Sequence, residues 1–543
     1  MSGPALEVRE PSARYFVQDE PALIRGFWLT VTAAGGIATL RATILSLALQ
    51  GKLVEQRADD ESAATLLTAI TAEKTRLALS GLVKPGRSGG GTLSAPVELP
   101  HGWLMATLAD LCVVVTDGDH LPPPKASRGV PFLVIGDVRA GRIDLSKAER
   151  FVPAGYFESL DWIRRPKAGD VLYTTVGSFG ISISVLRDEE FCFQRHIALL
   201  RPGVLPLQPY LHLALKSPMV FAQAEHGATG IAQKTVSLAV LRSMYVPLPP
   251  LVEQHRIVAR VEELMKLCDA LEQCGRLADE QHARLTSTLF DALAASESAH
   301  SLAENWQRIA EHFDLLLDRS EAIDALEQTI LQLAVRGLLV SGQSEPSHWK
   351  KTTAGAVLSF LNGYAFKSEW FQSKGVRLVR NVNVAHGTLN WTNGACVDDA
   401  VAQDMERFAL QSGDLVISLD RPIISTGLKY AVVRECDLPC LLLQRVARMT
   451  PRAEVLDAAY FELWLQSLAF LGSIDPGRSN GVPHISTRQL EAIPFFLPPL
   501  AEQHRIVARV EELRRLCAQL RERVTGARRT QSQLADALVA EVA

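Results

Sequence analysis

Two sets of basic and polar side chains are candidates for contacts with the bases of a nucleic acid. The guanidinium, ammonium and carboxamide groups of Arg, Lys, Gln and Asn can hydrogen-bond to base edges, so a sequence-specific reader needs only a few of them on one face. For any single residue, an ordinary surface or bracing role is the alternative. The candidates are Lys125, Arg128, Gln194, Arg195 and His196 in a first segment, and Lys367, Arg421, Lys429, Gln444 and Arg445 in a second.

A second group of polar residues occurs twice in the same order. Residues 253–264 read EQHRIVARVEEL, and residues 502–513 read the same. A catalytic histidine needs a nucleophile within reach in a cleft, whereas His255 and His504 lie in the charged first turn of a predicted helix. We therefore expect a structural or partner-docking role for the repeated polar residues. They are Glu253, Gln254, His255, Arg256, Glu502, Gln503, His504 and Arg505.

Motifs for catalysis and cofactor binding are missing from the sequence. It contains neither a phosphate-binding loop ending in Gly-Lys-Ser/Thr nor a glycine-rich dinucleotide fingerprint. It also lacks the Asn-Pro-Pro-aromatic motif of amino methylation and a carboxylate–lysine cluster of the nuclease type. The eight cysteines are scattered, with no Cys-x-x-Cys pair, which argues against a zinc site and favours a reducing cytoplasm. The sequence therefore predicts a non-catalytic chain that holds no metal or cofactor.

Composition limits the other classes. With 543 residues, 21% of them charged, and a formal net charge of −4, the chain is long enough for about three to four domains and carries no basic coat over its whole surface. The longest apolar stretch, residues 27–40, is too short to span a bilayer, and charged residues interrupt the N-terminus where a signal peptide would lie. We expect a cytoplasmic protein with no membrane partner.

The elements that position these residues are themselves repeated. Leu248-Pro249-Pro250-Leu251 corresponds to Leu497-Pro498-Pro499-Leu500, and residues 40–54 correspond to residues 326–340. Weaker matches link Trp103 with Trp349, residues 169–172 with 413–416, and Gln194-Arg195 with Gln444-Arg445. Each half thus has one order, which is a short helix, a divergent globular block, a Pro-Pro turn and a long helix.

The long helices have the period of a coiled coil. Ile257, Val261, Leu264 and Cys268 follow a heptad seam, and the second copy repeats it. Cys268 and Cys517 occupy seam positions, so both are expected to be buried small hydrophobic residues. A fully helical stretch of 44 residues would be about 66 Å long.

The blocks between the helices contain short β-branched runs bounded by turn residues, which indicate strands, and a few helical segments. The fold class is therefore a mixed α/β (α+β) protein. We expect two globular domains separated by long antiparallel coiled-coil helices, with an internal pseudo-two-fold repeat.

The predicted domains follow from these boundaries. Residues 1–56 form an N-terminal region with the short repeated helix, 57–99 a helix and a glycine-rich linker, 100–248 the first block, 249–346 the central repeated helical region, 347–497 the second block and 498–543 the C-terminal repeated helix. The first block has 15 Lys and Arg against 13 Asp and Glu, and the second has 15 against 14. Bulk charge therefore marks neither block as a nucleic-acid binder.

From about residue 27 onward, the chain resembles the DNA-specificity subunits of type I restriction–modification systems. The doubled Pro-Leu-x-Glu-Gln-x-Arg-Ile-Val before a long helix carries this resemblance. Gly-Lys-Leu-Val and Gly-Leu-Leu-Val after the short helices, Leu-Pro-His-Gly-Trp at 99–103, and residues 116–120 and 426–429 also fit.

The resemblance implies that each block is a target-recognition domain for one half of a split sequence in double-stranded DNA, with the helices as a ruler between the halves. Two methyltransferase subunits would dock on the two repeats, and restriction/translocase subunits would join that core. S-adenosylmethionine, ATP and Mg²⁺ would belong to those partners. The alternatives are an enzyme with a fused recognition domain, which should show catalytic motifs, and a coiled-coil scaffold with two protein-binding domains.

Overall fold

The computed structural model describes residues 22–83, 98–118, 122–138, 141–230, 233–340, 349–424, 427–474, 477–479 and 482–541. The chain divides into two units, Met1–Leu277 with Arg528–Ala543, and Ala278–Ala527. The first long helix is Leu251–Ala294 and the second is Leu500–Ala540. Each unit therefore holds the beginning of one long helix and the end of the other.

The first unit contains short helices and strands in alternation. Its helices are Ala22–Arg25, Phe27–Thr32, Gly36–Leu49, Ala63–Leu79, Leu108–Leu111, Ile135–Val138, Ala154–Ser159, Gln208–Leu215, Pro218–Gly227 and Leu238–Ser243, with 3-10 turns at Leu145–Lys147, Trp162–Arg164 and Leu205–Leu207. Its strands are Leu104–Thr107, Cys112–Asp117, Val130–Leu133, Phe151–Val152, Val171–Thr174, Ser182–Ser184, Cys192–Phe193, Ile197–Pro202 and Tyr245–Leu248.

The second unit repeats this plan. Its helices are Ala299–Ala310, Phe313–Leu316, Ser320–Val335, Ala354–Val357, Asp399–Asp404, Ala458–Gln466, Leu468–Leu471 and Thr487–Glu491, with 3-10 turns at Ser368–Trp370, Glu406–Phe408 and Glu435–Asp437. Its strands are Lys350–Thr353, Leu358–Asn362, Val376–Val379, His386–Gly387, Cys396–Val397, Leu415–Ser418, Ile423–Ile424, Gly427–Leu428, Tyr430–Val432, Cys440–Leu442, Val446–Pro451, Gly477–Ser479, Val482–His484 and Pro494–Leu497.

The central sheets of the two blocks share one antiparallel strand order, and the sheet of the second block has a further parallel strand, His386–Gly387. In the first, Ile197–Pro202 lies between Cys112–Asp117 and Val171–Thr174, all antiparallel. In the second, Val446–Pro451 lies between Leu358–Asn362 and Leu415–Ser418 in the same way. The strands Val171–Thr174 and Leu415–Ser418 are buried throughout, as expected of strands covered on both faces. The mixed α/β prediction is confirmed.

A two-stranded antiparallel sheet closes each block at its ends. Leu104–Thr107 pairs with Tyr245–Leu248 in the first block, and Lys350–Thr353 pairs with Pro494–Leu497 in the second. The Pro-Pro turn and the long helix follow at once. Each block therefore leaves and rejoins the helical part of the chain at a single point.

The glycine that follows each short apolar repeat, Gly51 and Gly337, predicts the end of a helix, and glycine does end both short helices. Gly36–Leu49 is followed by Gly51 at φ 70°, and Ser320–Val335 by Gly337 at φ 74°. In both copies the N–H of the residue after the glycine donates to a carbonyl five residues earlier, at 3.0 Å and 2.9 Å, the Schellman arrangement for a left-handed cap.

The spacing of apolar residues from 309 to 333 predicts a further seam, formed by Ile309, Phe313, Leu316, Ile323, Leu326, Ile330 and Leu333. This seam does not lie on one continuous helix. Its apolar residues are buried or half-buried, but the chain breaks between Ala299–Ala310, Phe313–Leu316 and Ser320–Val335. The seam prediction used apolar spacing alone, which does not register the breaks. In contrast, the long helices run without interruption, and Cys268 and Cys517 are each 4% exposed, which confirms their assignment as core residues.

An ion pair between short and long helix is reversed in charge between the halves. Arg41 pairs with Glu272 at 3.0 Å in the first unit, and at the corresponding positions Glu327 pairs with Arg521 at 3.4 Å in the second. If the short helices exchanged partners, like charges would meet. Such an arrangement favours the pairing within each half.

A half-buried histidine, His212, makes the first block sensitive to acid. His212 Nδ1 lies 2.8 Å from Ser182 Oγ, and burial, helped by Lys216, lowers the pKa of His212 from 6.5 to about 4. As the pH falls below about 6.5, His212 binds a proton in the unfolded chain before it does so in the folded chain. The free energy of unfolding is therefore unaffected by His212 above about pH 6.5 and decreases toward pH 4, by up to about 3 kcal/mol.

We expect hydrogen exchange of helix Gln208–Leu215 to accelerate between pH 6.5 and 4, after correction for the intrinsic rate. His212→Gln should remove much of that dependence, whereas the exposed control His255→Gln should retain it. An unchanged profile in His212→Gln would contradict this assignment.

Candidate nucleic-acid interface

Three backbone segments meet at one end of the first block's sheet. We call this meeting point the first junction and define it by residues 175–177, 194–197 and 234–236. Thr175 N–H donates to His196 O at 2.9 Å, Val236 N–H to Thr175 O at 2.8 Å, and Gly177 N–H to Lys234 O at 2.9 Å. The candidate residues Gln194, Arg195 and His196 thus lie in a turn fixed on two sides.

The second block contains the same junction, formed by residues 419–421, 443–446 and 483–485. Leu419 N–H donates to Arg445 O at 2.8 Å, Ile485 N–H to Leu419 O at 2.9 Å, and Arg421 N–H to Pro483 O at 2.8 Å. The candidates Arg421, Gln444 and Arg445 are therefore brought together here.

These bonds correct the sequence match by one residue. Ile197 N–H donates to Gln194 O, and Val446 N–H donates to Leu443 O, so Gln194 corresponds to Leu443. Arg195 then corresponds to Gln444, and His196 to Arg445. The shared Gln-Arg dipeptide had suggested the other register.

The second junction holds two arginines in an unusual backbone conformation. Arg421 has φ 47° and Arg445 has φ 72°, and among the described residues they are the only non-glycine residues with a positive φ. The first junction has glycine, Gly177, at the position of Arg421. A side chain in this region costs about 1–3 kcal/mol and persists where the surroundings fix it.

Asp420 connects the charged side chains of the second junction. Its Oδ1 lies 2.7 Å from His484 Nδ1 and 3.7 Å from Arg445 Nη1. Sequence reasoning missed both Asp420 and His484. The first junction has Val176 and Thr235 at these positions, so comparing the two repeats does not single out Asp420 or His484. The one sequence signal nearby is the β-branched run that predicts a strand ending just before Asp420.

Lys429 lies beside this group and is half-buried. Its Nζ donates to Asn381 O, and burial, followed by the charge of Arg421, lowers the pKa of Lys429. Arg421 and Lys429 are thus close enough to influence each other. Three of the five candidates of this block lie in the second junction, and Lys429 lies beside it.

The first junction is less charged. Arg195 is exposed, and its Nε donates to His196 Nε2 at 3.4 Å. Burial, followed by the charge of Arg195, lowers the pKa of His196, so this ring is neutral at pH 7. Thr235 supplies a hydroxyl where the second junction has an imidazole.

The remaining candidates lie outside the junction segments. Lys125 and Arg128 are exposed on the chain before strand Val130–Leu133. Lys367 is exposed, pairs with Glu369 at 3.8 Å and lies 5.4 Å from the centre of the Trp370 ring. The structure does not join these three to the junctions. The predicted glycine-rich linker, residues 119–120 and Thr426 fall outside the described residues.

The repeated motif at the helix starts is largely an internal anchor. Glu253 is 1% exposed and accepts from Trp103 Nε1 at 2.9 Å and Gln56 Nε2 at 2.6 Å. Burial raises the pKa of Glu253, and these two hydrogen bonds oppose the rise. Arg256 Nη1 donates to Asp60 Oδ1 at 3.2 Å. The first long helix is thereby fixed to the segment that precedes the block.

The glutamine of the motif makes the same hydrogen bond to the Pro-Pro turn in both copies. Gln254 Nε2 donates to Pro249 O at 2.9 Å, and Gln503 Nε2 donates to Pro498 O at 2.8 Å. Both side chains, like that of Glu502, are buried. These hydrogen bonds brace the Pro-Pro turn and explain why a polar residue recurs there.

The comparisons with known proteins decide the family. A family model described as the type I restriction modification DNA specificity domain matches residues 100–279. The EcoAI specificity subunit of Escherichia coli, from a type I restriction enzyme, is 37% identical, and the match covers 93% of each chain. The chain belongs to the specificity subunits of type I restriction enzymes.

Other relatives of this specificity subunit are more distant. The EcoEI specificity subunit of Escherichia coli is 28% identical, with 93% of each chain covered. The solved HsdS subunit from Thermoanaerobacter tengcongensis is 19% identical, covers 82% of this chain and 98% of its own, and has a TM-score of 0.40.

Membership in this family removes both alternatives raised by the sequence. A specificity subunit is the non-catalytic DNA-recognition member of its complex, so neither a fused enzyme nor a protein-binding scaffold describes the chain. Within the described ranges, no helix combines the length and apolar character needed to cross a bilayer.

For the specificity subunit, the exposed part of the repeated motif remains the predicted docking surface for partners. His255, His504 and Arg505 are exposed, and His504 Nε2 lies 3.6 Å from Asp457 Oδ2. Glu253, Gln254, Glu502 and Gln503 are buried within the chain. The first two and Gln503 make the internal hydrogen bonds described above.

Proposed function

We propose that this specificity subunit reads a bipartite target in double-stranded DNA, one half with each block. The observation that carries the proposal is the pair of junctions, which share one backbone and differ in their side chains. A constant backbone suits a common mode of approach to DNA, while different side chains suit different base sequences.

The chain acts, in this proposal, in the cytoplasm within a complex of two methyltransferase subunits and restriction/translocase subunits. It directs methylation and restriction, and S-adenosylmethionine, ATP and Mg²⁺ are bound by those partners. The exposed residues of the two helix starts are the proposed docking surface, since the motif occurs twice and two methyltransferase subunits are required.

Specific recognition should require the partners. The blocks are nearly neutral, so few phosphate contacts contribute to affinity. We expect the purified chain to bind target and random duplexes with similar, weak affinity at 150 mM salt, and the reconstituted methyltransferase complex to prefer the target by at least about 1,000-fold.

Sequencing of methylated sites in a host with and without the chain supplies the target and tests the proposal. A split motif should appear only when the chain is present. Methylation by the chain alone, or a methylation pattern that does not depend on the chain, would contradict it.

A further inference from the structure

We propose that the Arg421–Arg445 pair of the second junction reads guanine in one half of the target. This inference rests on the proposed function and adds the residues and base class for the second block. It concerns direct contacts with base edges, not attraction to the phosphate backbone.

The backbone at both arginines is strained and fixed by the junction. Both arginines have the left-handed conformation that glycine adopts most easily. The junction fixes them, because Arg421 N–H donates to Pro483 O and Arg445 O accepts from Leu419 N–H. A strained backbone that carries a functional group is expected where its placement matters more than local stability.

A carboxylate, Asp420, lies beside the arginines. Asp420 Oδ1 contacts His484 Nδ1 at 2.7 Å and Arg445 Nη1 at the longer distance of 3.7 Å. The carboxylate therefore attracts the guanidinium of Arg445 by charge, at a distance too long for a hydrogen bond. It also offsets part of the positive charge, which weakens nonspecific attraction to phosphates.

The guanidinium groups of both arginines can donate to base edges. Both arginines are exposed, and a planar guanidinium matches the O6 and N7 acceptors that guanine presents in the major groove. Lys429 is less available, since its ammonium group donates to Asn381 O. Guanine is thus the base that the two exposed arginines recognise best.

The two junctions differ in the side chains at the corresponding positions. At the corresponding positions the first junction has Val176, Gly177, His196 and Thr235, with neither an arginine nor a carboxylate. The same backbone there presents a neutral imidazole and a hydroxyl. The arginine of the first junction, Arg195, lies at the position of Gln444, so the contact proposed for Arg421 and Arg445 belongs to the second block alone.

The test uses the full chain reconstituted with its methyltransferase subunits, with methylation read on a library of duplexes. The library is derived from the wild-type target, with each half randomised in turn. The variants are Arg421→Gly and Arg445→Gly, because glycine keeps the left-handed backbone without strain. We expect each variant to lose about 5- to 150-fold of discrimination at a guanine of one half, and none in the other half.

Arg452→Ala is the matched control. Arg452 is exposed and follows strand Val446–Pro451, whereas Arg445 precedes it, so about 23 Å of strand separates the two. This variant should keep the wild-type preference. Hydrogen exchange of Val446–Pro451 checks that every variant is folded.

Each outcome has a defined meaning. An equal loss on all sequences would show phosphate contacts, and unchanged preference in both glycine variants would show that the arginines do not touch bases. Either result overturns the inference while wild-type specificity stands. If the wild-type complex itself shows no sequence preference, the proposed function fails first.

Discussion

Exchanging residues 350–497 for the corresponding block of another specificity subunit should replace one half of the methylated target and leave the other half unchanged. Both splice points lie in the closing sheet formed by Lys350–Thr353 and Pro494–Leu497, so the donor block brings both strands of its own closure. Two of the apolar clusters of the second block consist of residues of that block alone. We expect the original half-site to be replaced completely, because each mismatched base pair costs about 1–3 kcal/mol and several would be mismatched at once.

The donor must match the helices that the block packs against. Ile506, Val510 and Cys517 of the second long helix share a core with Trp464 and Phe495 of the block. A donor with the same Glu-Gln-His-Arg-Ile-Val motif is therefore the suitable choice.

The reciprocal exchange of residues 104–248 is the control and should change the opposite half. Sequencing of methylated genomic sites in cells that express each chimera gives the result directly. A change in both halves from a single exchange would show that the blocks do not read independently.

The sequence was sufficient for features that depend on local period or on the repeat. The heptad spacing around Cys268 and Cys517 predicted buried seams, and the glycines at 51 and 337 predicted helix ends. The strand Leu415–Ser418 followed from a short β-branched run. Each of these depends on residues within one or two turns, so spacing alone carries the information.

Contacts between distant segments could not be predicted in this way. Glu253 is buried by Trp103 and Gln56, which lie 150 and 197 residues away, so its repeated motif indicated docking where the structure shows an anchor. The second junction joins Asp420 to His484 across 64 residues. No local pattern identifies such a pair, and the first block lacks it.

The equivalent residues Asp170 and Asp414 form ion pairs with arginines at different strand positions, since Val171 pairs with Leu200 and Leu415 with Met449. Comparing these two ion pairs leads to the second large expected effect. In the first block, Asp170 accepts from Arg201 Nε at 2.8 Å and Nη2 at 2.7 Å, and the two side chains are 2% and 10% exposed. In the second, Asp414 and Arg448 make one contact of 3.3 Å and are 17% and 25% exposed. We therefore expect Asp170→Asn to destabilise its block by about 3 kcal/mol and Asp414→Asn by about 1 kcal/mol or less.

The two substitutions are otherwise alike. Each aspartate also accepts a backbone N–H three residues earlier, from Lys167 and from Gln411, both at 2.8 Å. Asparagine retains an oxygen for that turn, so the difference in stability reports the loss of the charged partner. Hydrogen exchange of strands Val171–Thr174 and Leu415–Ser418 measures the two blocks separately in the full chain, where a single unfolding transition is not expected.

The double variant Asp170→Asn with Arg201→Met separates the two possible causes of the loss. Breaking a buried pair is costly mainly because one charge remains without its partner. Arg201 would keep its carbonyl contact to Arg165 at 2.8 Å and its position 4.4 Å from the Trp162 ring, but neither neutralises its charge. Removing that charge should therefore recover more than half of the lost stability, since methionine fills similar space against Trp162. If the double variant is no more stable than Asp170→Asn, the geometry of the hydrogen bonds, and not the uncompensated charge, holds this part of the sheet.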